Sequence, residues 1–290
     1  MLTFYKIIKN WKPDVIHVQF PADGFHESIA YSLLPLLGFC LGKKIVMTWH
    51  ESFSLSHIFK FFLLSVVPSQ IIVVRPNYKN LLPFYKFLAA HKTFNFIPNA
   101  STLPSVTLSI SQKKLLKKKY ILGKSRLIVY FGFIYPHKGV ENILKIASPE
   151  TDQVVIAADM EPQNIYHKYL KGIITKKWNN RVSLIKYMPE NDLAALLSVA
   201  DAIILPFRDG GGIWNTSIHA AVSSRSFLLT TSININGFNK DLNTYYSSTD
   251  NINEMRGALD KYSGTKNLNK TVTDSWAEIS KKHIQVYDRN

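Results

Sequence analysis

The sequence predicts an α/β protein with two doubly wound, parallel-sheet domains. Three observations predict it. Short apolar runs recur along the chain, separated by segments of helical length, as in a parallel sheet covered by helices on both faces. The alternation breaks once, at the Ser-, Thr-, Pro- and Lys-rich stretch 101–124, and then starts again. With 290 residues and 46% hydrophobic content, the chain can bury two ordinary cores.

In order, Leu2–Asn10 reads as a helix that ends before Trp11-Lys12-Pro13-Asp14, and Val15–Phe20 as a strand. Gly24–Leu41 reads as an apolar helix kinked at Pro35, and Lys44–Trp49 as a strand with His50 and Glu51 just past its end. Phe53–Val67 is a Phe-rich helix, Gln70–Val74 a strand, Lys79–Ala90 a helix, and Phe94–Ile97 a strand closing at Pro98-Asn99. Ligands of such sheets sit beyond the carboxyl ends of the strands, where His50, Glu51 and Asn99 fall. The lysines at 113, 114, 117, 118, 119 and 124 carry two readings, a solvated helix face or contact with an anionic membrane.

In the second half, Arg126–Phe131 is a strand followed by a turn containing Gly132, Lys138 and Gly139. Val140–Ala147, Ile165–Lys176 and Glu190–Ala200 read as helices, and Gln153–Ala157 and Val182–Ile185 as strands. Ala202–Phe207 is a buried strand, followed by Asp209-Gly210-Gly211-Gly212. The N-cap formers Asn215, Thr216 and Ser217 open a helix at Ile218–Ser224, and Phe227–Thr231 is the next strand. A glycine loop leading into a helix N-terminus is either an anion site, most often for phosphate, or simply a loop.

Lys+Arg is 35 against Asp+Glu 20, a formal charge of +15 that favours anionic partners. The single cysteine, Cys40, excludes a disulfide framework and a thiolate zinc cluster. No Asp-x-Asp, His-Glu-x-x-His or cysteine pair is present, so no metal site is expected. The apolar runs Ile29–Leu41 and Phe61–Val74 are too short to span a bilayer, and lysines interrupt the N-terminus before it can read as a signal peptide. A cytoplasmic protein is expected.

Several blocks resemble the family 4-like, nucleotide-sugar-dependent glycosyltransferases of the B-type fold. They are PDVIHVQFP, KIVMTWHE with its Thr-x-His, IIVVRPNYKNLL, FNFIPNAS, VYFGFIYPHKGVENIL, VSLIKYMPENDLAALLSVADAIILPF and SWAEISKKHIQVY. They stand in the family's order and cover most of residues 13–290. The resemblance implies two Rossmann-like domains, a shortened acceptor-side one over residues 1–104 and a nucleotide-sugar one over 105–265, and a terminal helix over 266–290 crossing back to the first. Four departures accompany it. The strand and glycine-rich loop that usually open the first domain are absent before PDVIH. Ala220 stands where the donor loop usually carries a second glutamate, Arg225-Ser226-Phe227 replaces Gly-x-Pro, and Phe133 stands where a basic residue is frequent.

On this resemblance the chain transfers a sugar from a nucleotide-diphosphate sugar to a lipid-linked or saccharide acceptor. The reaction is expected to be retaining, metal-independent and free of cofactors, in surface polysaccharide assembly. Lys138 and His50 are the expected catalytic residues, Lys138 against the leaving diphosphate and His50 close to the reacting sugar. Gly132, Arg208, Gly211, Gly212, Asn215, Thr216 and Tyr187 are expected on the donor side, Gly211, Gly212 and Thr216 through backbone N–H groups. Tyr187 is either a stacking residue or a packed core tyrosine, and Arg208 either a phosphate fork or a surface ion pair. Glu51 and Asn99 are expected on the acceptor side. Asp159-Met160-Glu161 reads as a turn beside the nucleotide. Peripheral attachment to an anionic membrane through the lysines and the Phe59–Phe62 segment is expected. So is an apolar edge near Val15–Phe20, covered by self-association or by a partner chain. A non-catalytic or split subunit is the alternative. Nucleic acid binding rests on charge alone, without an RNA-module signature.

Overall fold

The computed structural model describes residues 2–20, 29–50, 58–82, 87, 90, 92–267 and 275–289. The backbone divides into two units, Met1–Asn99 with Asp274–Asn290, and Ala100–Thr273. The first division falls at 99/100, where the sequence reading put it at 104/105.

The first unit holds α1 (Leu2–Trp11), β1 (Val15–Phe20), α2 (Ile29–Ser32), α3 (Leu34–Cys40), β2 (Lys44–Trp49), α4 (Ile58–Val66), β3 (Gln70–Val73) and β4 (Phe94–Phe96). Its strands form one parallel sheet in the order β1-β2-β3-β4, with Val15 opposite Lys44 and Val46 opposite Gln70. Met47, Trp49, Phe61, Leu64 and Ile71 are fully buried, and the Trp49 ring meets Phe61, Tyr78 and Phe94 at 5.7–6.0 Å.

Three details differ from the sequence reading. Over the described part of Gly24–Leu41 two helices replace one kinked helix, because Pro35 sits in the first turn of α3, where its missing N–H costs nothing. The helix expected over Lys79–Ala90 opens instead, where described, with a 3₁₀ turn at Tyr78–Leu81. Leu82 leaves that turn in extended conformation, as a residue preceding proline does. Among the described residues β1 is an edge strand, yet Ile16, Val18 and Phe20 are buried, so these apolar side chains are already covered within the chain.

The second unit follows as α5 (Ile110–Lys118), β5 (Arg126–Phe131), α6 (Val140–Ile146), β6 (Asp152–Ala157), α7 (Ile165–Lys177) and β7 (Val182–Ile185). Then come α8 (Glu190–Val199), β8 (Ala202–Leu205), α9 (Thr216–Ser223), β9 (Leu228–Thr231), β10 (Gly237–Asn239), β11 (Thr244–Ser247) and α10 (Ile252–Tyr262). The seven-stranded sheet runs β10-β11-β9-β8-β5-β6-β7, parallel except for β10. Its central strands are buried on both faces, which is why they read as unbroken apolar runs. The chain winds from β5 outward to β7, then returns to place β8 against the other side of β5. That reversal is a topological switch point, and it opens a crevice at the carboxyl ends of β5 and β8.

The last helix, α11 (Trp276–Asp288), groups with the first unit. A capping box of Ser275 and Glu278 starts it. At its far end the Tyr287 hydroxyl meets His17 Nδ1 at 2.7 Å, and Arg289 donates to Asn95 Oδ1 at 2.6 Å.

Candidate active site

A cleft of about 550 Å³ opens at the switch point of the second unit. Gly132–Tyr135 after β5, Asp159 and Glu161 after β6, and Lys186–Met188 after β7 line it. Phe207 after β8 and Thr216 and Ser217 of α9 complete the wall, together with Lys138.

Lys138 is held by a turn with little freedom. Pro136–Lys138 form one 3₁₀ turn, and Gly139 ends it at φ 65°. The His137 carbonyl accepts from Arg208 N–H at 2.9 Å, tying the turn to the exit of β8. A Cβ on Gly139 would lie 2.3 Å from the Pro206 carbonyl oxygen, so the position needs glycine for both conformation and space. The Lys138 ammonium lies 4.8 Å above the Phe207 ring, a cation–π contact on the cleft wall.

The glycine loop works differently from the expectation. Gly211 N–H donates to Thr231 O at 2.7 Å, and Gly212 N–H to the Asn215 side-chain oxygen at 3.0 Å. Both expected donors are therefore used inside the protein. The glycines make room instead: a Cβ on Gly211 would meet the Phe207 ring at 2.6 Å, and one on Gly212 the Trp214 ring at 2.1 Å. Neither glycine, nor Asn215, lines the cleft. Thr216 and Ser217 do, and their N–H groups have no protein acceptor among the described residues. The positive end of α9 thus faces the cleft through its first two residues.

Arg208 is committed elsewhere. Its guanidinium donates to Glu141, whose side chain on α6 is 2% exposed, and Tyr166 Oη donates to the same carboxylate. Burial pushes the Glu141 carboxyl up, but the hydrogen bonds from Tyr166 and Arg208 outweigh it and hold the group below its usual value. A buried carboxylate with these partners needs its cation, so Arg208 is anchored for structure and stands outside the cleft lining. Tyr187, by contrast, lines the cleft and is 79% exposed, which separates it from a packed core tyrosine. His167 was missed in the sequence. Its Nδ1 accepts from Glu161 N–H at 2.8 Å and its Nε2 donates to Ile134 O at 2.9 Å, joining two loops of the cleft wall.

A second cleft of about 580 Å³, near the amino ends of β5 and β6, is lined by Lys124, Arg126, Arg181 and Asp260. Its central cation is already engaged: Arg126 bonds Asp152 at 2.6 Å and Asp260 at 2.8 Å, and Arg181 bonds the Ser125 hydroxyl at 2.7 Å. It offers a weaker case for a ligand than the switch-point cleft.

In the first unit, His50 follows β2 and is half-buried, with Nε2 2.7 Å from Gln19 Oε1. Gln19 Nε2 in turn lies 3.2 Å from His17 Nε2, which also meets Thr48 Oγ1 at 2.8 Å. Burial, helped by His283, lowers the His50 pKa. Burial, with His283 and His50 adding to it, lowers His17 to about 4. Asn99 follows β4 and is half-buried; Glu51 lies outside the described residues.

The architecture has solved counterparts. Sucrose-phosphate synthase from Thermosynechococcus elongatus matches with a TM-score of 0.72 at 13% identity, over 98% of this chain and 75% of that one. Anabaena HepE, crystallised with UDP and glucose, matches at 0.71 and 14%, over 98% and 80%. A Rickettsia africae glycosyltransferase matches at 0.70 and 15%, over 99% and 79%. The chain has the glycosyltransferase B-type fold. No family model matches the sequence, and no curated protein is similar to it in sequence. At these identities the B-type likeness is one of architecture, and the chemistry must be argued from the residues.

Proposed function

We propose that the chain is a glycosyltransferase that takes a sugar from a nucleoside-diphosphate donor held in the switch-point cleft and passes it to a hydroxyl acceptor. One observation carries this reading: Lys138 and the N-terminal turn of α9 converge on a single cleft at the carboxyl ends of a parallel sheet. When the bond between sugar and diphosphate breaks, negative charge builds on the leaving phosphate. A fixed ammonium and unsatisfied helix N–H groups stabilise that charge more than they stabilise the intact donor. Tyr187 offers a ring face to the nucleoside. That HepE was crystallised with UDP and glucose supports the choice of donor class.

In this reading protein groups, rather than a divalent ion, neutralise the leaving group, and the sugar keeps its anomeric configuration. Incubation with UDP-, GDP- and dTDP-sugars should release nucleoside diphosphate from one of them, unchanged by a chelator. Release abolished by the chelator would remove metal independence, and no release from any donor would contradict the transferase reading.

The acceptor is proposed to be carried at an anionic lipid surface. Residues 1–140 hold 18 of the 35 Lys+Arg but only four of the 20 Asp+Glu, and so nearly all of the excess charge. On α5, Lys113, Lys114 and Lys118 are exposed beside Ile110 (88% exposed) and Leu115 (65%), a basic and apolar face suited to lipid headgroups. Among the described residues no helix is long and apolar enough to cross a membrane. Each lysine at such a surface contributes about 1 kcal/mol, screened by salt. The chain should therefore sediment with anionic vesicles at low salt and detach at high salt. Failure to sediment, or binding indifferent to salt, would count against this placement.

A further inference from the structure

The first unit carries a hydrogen-bonded chain that links the end of β2 to the last helix. It runs from His50 through Gln19 and His17 to Tyr287, residues separated by up to 270 positions in sequence. Each link constrains the next. Gln19 Oε1 can only accept, so His50 Nε2 must carry a proton to bond it at 2.7 Å. The Gln19 amide nitrogen can only donate, so His17 Nε2 must be bare to receive it. The Thr48 hydroxyl, on a residue 2% exposed, lies 2.8 Å from the same His17 Nε2. His17 is left with its proton on Nδ1, pointing at the Tyr287 oxygen 2.7 Å away. His283 of α11 faces the same group, its ring 5.8 Å from that of His17. Its own Nδ1 lies 2.9 Å from Ile279 O.

We propose that Gln19 is a positioning residue that holds His50 in its Nε2–H tautomer, its amide oxygen turned to His50 and its amide nitrogen to His17. His50 then presents Nδ1 as its one acceptor, the nitrogen that can take a hydroxyl hydrogen from a bound sugar. This rests on the transferase reading for its consequence in turnover, but the tautomers are properties of the folded chain alone. The lowered pKa values of both rings agree with neutral imidazoles at neutral pH.

Long-range proton–nitrogen spectra of the full chain, with labelled histidine assigned through His50→Gln and His17→Gln, test it. At neutral pH, His50 should show a protonated Nε2 and a bare Nδ1, and His17 the reverse. In Gln19→Leu, His50 should relax to a mixture of tautomers, and turnover should fall about tenfold with the donor KM unchanged. Gln19→Glu should keep the Nε2 proton and raise the His50 pKa by about one unit. Because Gln19 is exposed, neither change should disturb folding. A wild-type His50 protonated on Nδ1, the pattern of a rotated Gln19 amide, overturns the proposal. So does Gln19→Leu with wild-type turnover. If the wild type releases no nucleotide from any donor, the transferase reading fails, and the tautomer spectra still decide the relay.

Discussion

Gly139→Ala should destabilise the second unit by about 3 kcal/mol or more and abolish nucleotide binding. Two costs add. An L-residue at φ 65° pays about 1–2 kcal/mol for the left-handed conformation. Its Cβ would also stand 2.3 Å from the Pro206 carbonyl oxygen, which belongs to backbone and cannot rotate away. Relief requires the 136–139 turn to lift from the exit of β8, and Lys138 moves with it. Gly123→Ala is the matched control: its φ is 67°, but nothing lies within 4 Å of the added Cβ, so only the conformational cost applies. Denaturant midpoints of the two variants check this. Equal losses would show that the close approach at Pro206 carries no weight.

Lys138→Ala should reduce turnover about a hundredfold or more while weakening nucleoside diphosphate about 10- to 100-fold. The binding loss corresponds to one charge-assisted hydrogen bond, about 1.5–3 kcal/mol. The larger loss in turnover follows because charge on the leaving phosphate is greatest in the transition state. Steady-state kinetics alongside calorimetry separates the two. Turnover unchanged at saturating donor would reduce Lys138 to a binding residue, and an unchanged affinity would remove it from the site.

The strands and their order of appearance were legible because β5, β6 and β8 are buried on both faces and leave unbroken apolar runs in the sequence. β10 and β11 were not, since three- and four-residue strands with polar side chains carry no such pattern. Of the cleft residues, Gly132, Lys138 and Thr216 carry local signals, a glycine turn at a strand end and a helix start, while Tyr187 rested on the resemblance. Arg208 was legible as a cation but not as the partner of Glu141, 67 residues away, because sequence does not reveal which buried carboxylate an arginine will meet. The glycine run shows the same limit. Glycine signals close approach, yet only the fold shows that the approaching groups are the Phe207 and Trp214 rings, packed against Gly211 and Gly212. Likewise the Thr-x-His segment marked His50, while the residue that orients it, Gln19, lies on the neighbouring strand.

The account turns on whether the switch-point cleft holds a nucleoside diphosphate. Calorimetry of the full chain with UDP, GDP and dTDP tests this directly. Saturable binding of one of the three, at one site per chain and weakened in Lys138→Ala, is the predicted result. If none of them binds the wild-type chain even at millimolar concentration, the donor site assigned to the second unit is wrong.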